Sequence, residues 1–355
     1  MESIGMSRNF WEGKRVFITG HTGFKGGWLA LWLADMQAEV HGYALAPLTE
    51  PNFFAACGVE KRVASSTLED IRNTEALSLA LKQAQPEIVL HLAAQPLVRY
   101  SYQSPVETYE VNVMGTINLL EAVRGISSVK AVVNVTTDKC YENREWIWPY
   151  REDEALGGHD PYSNSKGCSE LVTMAYRKSF LAPAGIHVAS ARAGNVIGGG
   201  DWSQDRLLPD FFRAVDARKK LIIRSPDAVR PWQHVLEPLS GYLMLAERLF
   251  VSGEKFSGAW NFGPEESDSQ SVRWIVDRLC NKVEGSGWQL EKNVQPHEAN
   301  TLRLDSSKAK SFLDWRPRWT LETALDKTLD WFKAWESGAT IAGMSLKQIA
   351  DYEGQ

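Results

Sequence analysis

Arg15-Val16-Phe17-Ile18-Thr19-Gly20-His21-Thr22-Gly23-Phe24-Lys25-Gly26-Gly27-Trp28-Leu29-Ala30-Leu31-Trp32-Leu33-Ala34 is the stretch on which the fold turns. Its first five residues form a short, largely β-branched apolar run, the pattern of a buried strand. Glycines at 20, 23 and 26 follow at once, spaced G-x-x-G-x-x-G and not G-x-G-x-x-G. Such glycines permit a tight turn and let backbone N–H groups approach a pyrophosphate. The apolar helix beyond them points its positive end at that anion. Glycine spacing alone also suits a structural turn, but strand, turn and helix in sequence predict a dinucleotide site. The fold class expected is α/β: a doubly wound parallel Rossmann sheet with a smaller C-terminal substrate lobe.

Working outward, Glu39 to Tyr43 reads as the second strand and ends in Tyr43-Ala44-Leu45-Ala46-Pro47. No acid stands there for an adenosine ribose and no arginine for a 2′-phosphate, so NAD is favoured over NADP, held weakly at this half. The loop from Pro47 to Gly58 carries Phe53 and Phe54, to pack over the cofactor or against a second subunit. A third strand is expected near Val63 to Ser65. After it, Asp70-Ile71 either meets the adenine or caps a helix. Asn73 to Gln83 reads as helix and Ile88 to Leu92 as a buried strand ending in Ala93-Ala94-Gln95-Pro96, with His91 a packed strand residue.

Pro105 to Arg124 reads as one long helix. Asn112 within it is costly unless it bridges backbone or water near the site, or simply faces solvent. Lys130 to Thr136 is a further strand, with the Thr137 hydroxyl at its carboxyl end, where parallel sheets bind ligands. Tyr162 and Lys166 then lie one helical turn apart on one face. The ammonium is expected to lower the phenol pKa toward that of a useful base. Alone, Tyr-x-x-x-Lys also describes a surface pair on an ordinary helix. Pro161 and Gly185 are start and stop signals, and Ile186 to Arg192 is the next strand.

From Gly194 the character changes to a glycine-rich turn and loops bearing arginines among aromatics, a suitable wall for a nucleotide diphosphate. Helices are expected over Pro238 to Phe250, Val272 to Val283 and Leu321 to Trp335, with a short strand at Trp260 to Gly263. His297-Glu298 and Arg303-Leu304-Asp305 lie between the last two helices. The expected division is a cofactor domain over 8–193, with 231–264 returning to it, and a substrate lobe over 194–230 and 265–355. Across 355 residues, 44% hydrophobic and 23% charged content describe a globular protein with a large core. A net charge of −5 argues against nucleic acid as a partner. No run approaches the roughly 20 apolar residues of a membrane span. Met1 to Glu12 lacks the apolar core of a secretion signal. The four scattered cysteines read as free thiols of a reducing compartment, with no metal site, so a cytoplasmic location is expected.

Taken together, Thr19-Gly20-x-x-Gly23-x-x-Gly26, His91-Leu92-Ala93-Ala94, Asn112, Thr137, Tyr162-x-x-x-Lys166 and Arg230-Pro231-Trp232 resemble the extended short-chain dehydrogenase/reductase family, over most of the chain. Thr137-Asp138-Lys139 resembles its nucleotide-sugar 4,6-dehydratase group, whose usual Thr-Asp-Glu differs by having glutamate where Lys139 stands. Lys139, Ala94 to Arg99 and Gly198 to Trp202 most resemble the branch that acts on CDP-glucose, for 3,6-dideoxyhexose and O-antigen synthesis. The resemblance implies NAD as cofactor, held by Gly20, Thr22, Gly23, Phe24, Lys25, Gly26, Asp70, Ile71, Leu92, Ala93, Ala94, Asn112, Tyr162 and Lys166. It implies Thr137, Asp138, Lys139, Tyr162 and Lys166 as catalytic, with Asp138 an acid of raised pKa and Lys139 the base. Gln95, Arg99, Asn195, Arg206, Arg230 and His234 are its implied contacts to the nucleotide sugar. The long helices Pro105 to Arg124 and Tyr162 to Phe180 resemble the family's four-helix contact, so a homodimer or homotetramer is expected. Another nucleotide-sugar 4,6-dehydratase (dTDP-glucose or GDP-mannose) or a 4-epimerase is the alternative activity. A cofactor-sensing regulator that has lost the chemistry would also keep this fold.

Overall fold

The computed structural model describes residues 7–291 and 301–354, so His297 and Glu298 lie outside the described residues. Twelve strands are present among them. They are β1 (Arg15–Thr19), β2 (Glu39–Ala44), β3 (Ser65–Leu68), β4 (Ile88–His91), β5 (Ala131–Val135), β6 (His187–Ala193), β7 (Asn195–Ile197), β8 (Leu221–Ile223), β9 (Val229–His234), β10 (Gly258–Phe262), β11 (Ser269–Ser271) and β12 (Trp288–Leu290). Seven of them form one parallel sheet in the order β10-β6-β5-β4-β1-β2-β3. Helices cover both faces, so the central strands β4 and β5 are buried along their whole length, as their unbroken apolar runs require. One face packs Trp28, Trp32, Leu239 and Leu243 against the sheet, and the other Phe17, Leu77, Leu81 and Leu119. The chain reverses direction between β1 and β4, and ligands bind in the crevice that such a reversal opens at the strand ends.

Most boundaries fall within two residues of the sequence reading. Several features differ, the short strands β7, β8, β9, β11 and β12 among them. The third strand lies later than expected, at Ser65–Leu68. The helix expected over Pro105 to Arg124 is helical throughout but widens to a π-turn at Glu110–Met114, between α segments Pro105–Tyr109 and Gly115–Arg124. Beyond Leu321–Glu336 lies a further helix, Ile341–Glu353, packed on the glycine-turn helix Phe24–Asp35, where Trp32 Nε1 donates to Glu353 Oε1 at 3.0 Å. The remaining short strands form a three-stranded sheet, β11-β9-β7, and a pair, β12-β8, beside the crevice.

The glycine-rich turn after β7 shows how the two parts of the chain meet. A Cβ at Gly199 would lie 2.0 Å from the Trp331 ring, and one at Gly200 would lie 2.4 Å from Phe53. Trp28 Nε1 also donates to the Gly199 carbonyl at 2.9 Å. Only bare backbone fits between these aromatics, and the fit presents Asp201 to the crevice.

Candidate active site

Two clefts open at the carboxyl ends of the central strands and meet. The first runs past the ends of β1 to β4 and is bordered by Gly20, Thr22, Gly23, Phe24, Lys25, Gly26, Asp70, Ile71, Leu92, Ala93, Ala94, Tyr162 and Lys166. Gly20 has φ +80, and a Cβ there would sit 2.8 Å from the Ala93 nitrogen; a Cβ at Gly26 would sit 2.0 Å from the Gly20 carbonyl oxygen. The turn therefore closes on itself and leaves backbone and the amino end of Phe24–Asp35 facing the cleft, a cradle that fits a pyrophosphate. At the end of β2 the wall is Ala44, Leu45, Ala46 and Pro47, with no charged side chain for a 2′-phosphate. Asp70 borders the adenine end, but the helix cap is Asn73, whose side chain accepts from Ala76 N. Hydrogen bonds from the Arg72 guanidinium hold the Asp70 carboxyl below its usual range. These features together fit NAD.

Asn112 does not border the cleft, which corrects its expected place among the cofactor contacts. It is buried, accepts from Gln95 N at 2.8 Å, and donates to the Gln95 carbonyl and to Ser165 Oγ at 3.1 and 2.9 Å. The bridging role has a physical basis: the π-turn re-aims Asn112 so that it ties the segment after β4 to helix Pro161–Tyr176. His91 is a packed residue, bonded to Thr19 at 2.6 Å and kept neutral by burial, with its pKa lowered to about 3.

At the junction of the clefts stand Thr137, Asp138, Tyr162 and Lys166. β5 and helix Pro161–Tyr176 are pinned in register by Glu170, which accepts from Thr136 Oγ1, Ser190 Oγ and Arg192. The helix starts where Asp160 accepts from Ser163 N at 2.9 Å and Pro161 follows. This frame brings Tyr162 beside Thr137, whose hydroxyl favours the phenolate. Tyr162 borders both clefts. The electrostatics differ from the sequence reading. Burial raises the Tyr162 phenol to about 12, against the opposing pull of the Thr137 hydrogen bond and the Arg206 charge. Burial also lowers Lys166 to about 8, and its Nζ donates to the Val135 carbonyl at 3.4 Å. Desolvation of both groups outweighs the mutual help expected from their spacing.

Asp138 is buried, and burial raises its carboxyl pKa, against the charge of Lys139 and the Thr137 hydrogen bond at 2.9 Å. Among the described residues its Oδ2 has no hydrogen-bond partner. A buried carboxyl of raised pKa with one free oxygen is suited to donate a proton. Lys139 is half-buried and borders the second cleft.

That second cleft continues from Thr137 between β7, β8 and the start of helix Leu207–Asp216. Arg99, Asn195, Arg206 and Arg230 border it. Arg206 is held by Asp201 at 2.9 Å and Arg99 by Asp205 at 2.9 Å. Gln95 and His234 do not border it, which corrects both. The Gln95 amide is used up on Thr108 Oγ1 and the Leu97 carbonyl. His234 is fully buried, packed edge-on against Trp319 and Trp28, and lowered to about 3 by burial. The sequence reading missed β8, whose Leu221-Ile222-Ile223 walls the far end of the cleft with Arg224 and Ser225. Its apolar, β-branched run was the available signal.

The sheet, the glycine cradle and the Thr137–Tyr162–Lys166 group define an extended short-chain dehydrogenase/reductase. Comparison with known proteins narrows this: the family described as GDP-mannose 4,6 dehydratase matches residues 17–328, and the chain belongs to it. CDP-glucose 4,6-dehydratase of Salmonella typhimurium is 52% identical over 353 residues, covering 98% of each chain. Among solved structures, an epimerase from Methanothermobacter thermautotrophicus superposes with a TM-score of 0.79 at 23% identity, over 93% of this chain and 96% of the other. dTDP-glucose 4,6-dehydratase of Bacillus anthracis, in complex with NAD, does so with 0.74 at 21% identity, over 92% and 99%. At those identities the structural likeness speaks to the fold.

Proposed function

We infer that the protein is an NAD-dependent nucleotide-sugar 4,6-dehydratase that converts CDP-glucose to CDP-4-dehydro-6-deoxy-D-glucose and water. The observation that carries the reading is Asp138, buried, raised in pKa and with a free oxygen, beside Thr137 and Tyr162. Moving a hydroxyl between epimers needs no acid for a 6-hydroxyl, whereas expelling that hydroxyl as water does. The extent of the likeness to the Salmonella typhimurium enzyme supports the choice of CDP-glucose.

In this reading the sugar lies at the junction of the clefts. Tyr162, in its phenolate form, takes the proton of the 4-hydroxyl while Thr137 holds the same oxygen. NAD, when bound, supplies the acceptor that takes a hydride from C4 and gives it back at C6, so it is regenerated each turnover. Once C4 is a ketone the C5 proton is acidic, and Lys139 removes it as Asp138 protonates the departing 6-oxygen. Asn195, Arg206, Arg230 and Arg99 hold the nucleotide diphosphate in the second cleft. Residues 8–193 with 231–264 serve the cofactor, and 194–230 with 265–355 serve the substrate. Exposed Val106, Met114, Leu171, Met174 and Phe180 on the two long helices support a homodimer through that face.

Incubating the purified protein with NAD and, in turn, CDP-glucose, dTDP-glucose, UDP-glucose and GDP-mannose tests the reading. Loss of water from CDP-glucose alone is expected. An epimer of unchanged mass, or water loss only from another donor, overturns it.

A further inference from the structure

The second cleft holds a carboxylate among the arginines that would receive an anion. Asp205 borders it together with Arg99, Arg206, Arg224 and Arg230. Its Oδ1 accepts from Arg99 at 2.9 Å and lies 3.5 Å from the Arg224 guanidinium. Arg99 stands on helix Val98–Gln103 and Arg224 directly after β8, so one oxygen links two walls of the cleft. A second carboxylate, Asp201, holds Arg206 at 2.9 Å. The two acids are held differently. Asp201 is buried, follows the tightly packed Gly199–Gly200 turn, and accepts from Ser203 N at 3.0 Å. The Asp205 side chain is 37% exposed and its backbone is left-handed, at φ +58, a conformation with a cost for any residue but glycine. Ion pairs so exposed contribute little, whereas arginine holds a phosphate by paired, charge-assisted hydrogen bonds. Asp201 is built to stay, and Asp205 to be exchanged.

We propose that Asp205 stands in for the substrate diphosphate: it engages the Arg99 and Arg224 guanidiniums in the free protein and yields them to phosphate oxygens when a nucleotide diphosphate enters. The inference rests on the reading of the second cleft as a nucleotide-sugar site, and it adds Arg224 to the residues that hold the diphosphate. Only hydrogen bonds and ion pairs are exchanged. In the empty cleft the carboxylate keeps two like charges facing one place, which they would otherwise leave. An entering ligand must outcompete it. A diphosphate brings two negative charges and oxygens for both guanidiniums, whereas a nucleoside or a free sugar brings neither. Asp205 therefore selects for charge. Because the product keeps the diphosphate, the returning carboxylate also hastens its release.

The test is the affinity for CDP, by calorimetry, in the wild type, Asp205→Asn and Asp205→Gly. Both replacements remove the charge and tolerate left-handed backbone. Inhibition by cytidine, which carries no phosphate, is measured beside it. CDP is expected to bind about three- to tenfold more tightly in both variants, with cytidine unmoved and the KM for CDP-glucose lowered in parallel. The gain is expected to shrink as salt rises from about 0.05 to about 0.5 M. Unchanged or weaker CDP binding in the variants shows a carboxylate that orients the arginines without competing for them, and overturns the proposal. A gain that cytidine shares, or that salt leaves untouched, reports a reshaped loop and overturns it too. Binding of CDP by the wild type is scored separately. Its absence overturns the nucleotide-sugar reading of the cleft, whereas binding without the gain overturns only the role of Asp205.

Discussion

In the proposed reaction Asp138 carries the distinction between dehydration and simpler chemistry, and one atom decides it. Replacing Asp138 with Asn keeps the size of the side chain and an oxygen for the Thr137 hydroxyl, but removes the transferable proton. Oxidation at C4 should survive while elimination slows by about 10²–10⁴-fold, the usual contribution of general acid–base catalysis. Single-turnover absorbance of the reduced cofactor, followed beside product mass, checks this. A variant that dehydrates at the wild-type rate contradicts the assignment. Tyr162 and Lys166 show what residue spacing conveys. A four-residue interval sets both groups beside one cleft, but it does not report how much water each loses. Burial raises one group and lowers the other, and burial depends on strands distant in the chain.

Among the elements, the π-turn at Glu110–Met114 exists to serve one asparagine. Asn112→Ala would strand the Gln95 backbone N–H and carbonyl in a dry interior. Urea unfolding should show a loss of about 2–4 kcal/mol, with weaker NAD binding because the segment after β4 loses its tie. A loss below about 1 kcal/mol would show that the turn is incidental. The periodicity of Pro105 to Arg124 predicts one helix correctly, and it is blind to the extra residue in the turn, because a π-turn changes the phase of a helix without changing its composition. Strand β8 escaped for a different reason: three residues are too few for a period. Gln95 and His234 fall outside the clefts although their neighbours in the same segments, Ala94 and Pro96 or Arg230 and Trp232, border them, a difference of side-chain direction that family motifs do not encode.

At the scale of the molecule, the cofactor half is legible because it is local: strand, glycine turn and helix are neighbours in sequence. The second cleft is assembled from segments far apart, and the last helix returns to brace the glycine-turn helix. The brace centres on Glu237, which is fully buried and accepts from Arg318 N, Trp319 N and Tyr352 Oη. Burial raises its pKa to about 7. A carboxyl raised in the folded state keeps a proton there that the unfolded chain has already lost, so its contribution is full below about pH 4.5 and fades as pH rises through 7. The stability of the wild type relative to Glu237→Gln should therefore decline by roughly 1 kcal/mol per pH unit between pH 5 and 7. A difference that stays flat across that window would place the proton elsewhere.

The central claim is that one site withdraws hydrogen from C4 of the sugar and returns it to C6 after water has left. CDP-glucose deuterated at C4, turned over with catalytic NAD in ordinary water, tests it most directly by mass spectrometry and NMR of the product. The account predicts a product lighter by one water that carries the deuterium at C6. Deuterium lost to solvent or retained at C4 of an epimer, with no loss of water, would contradict it.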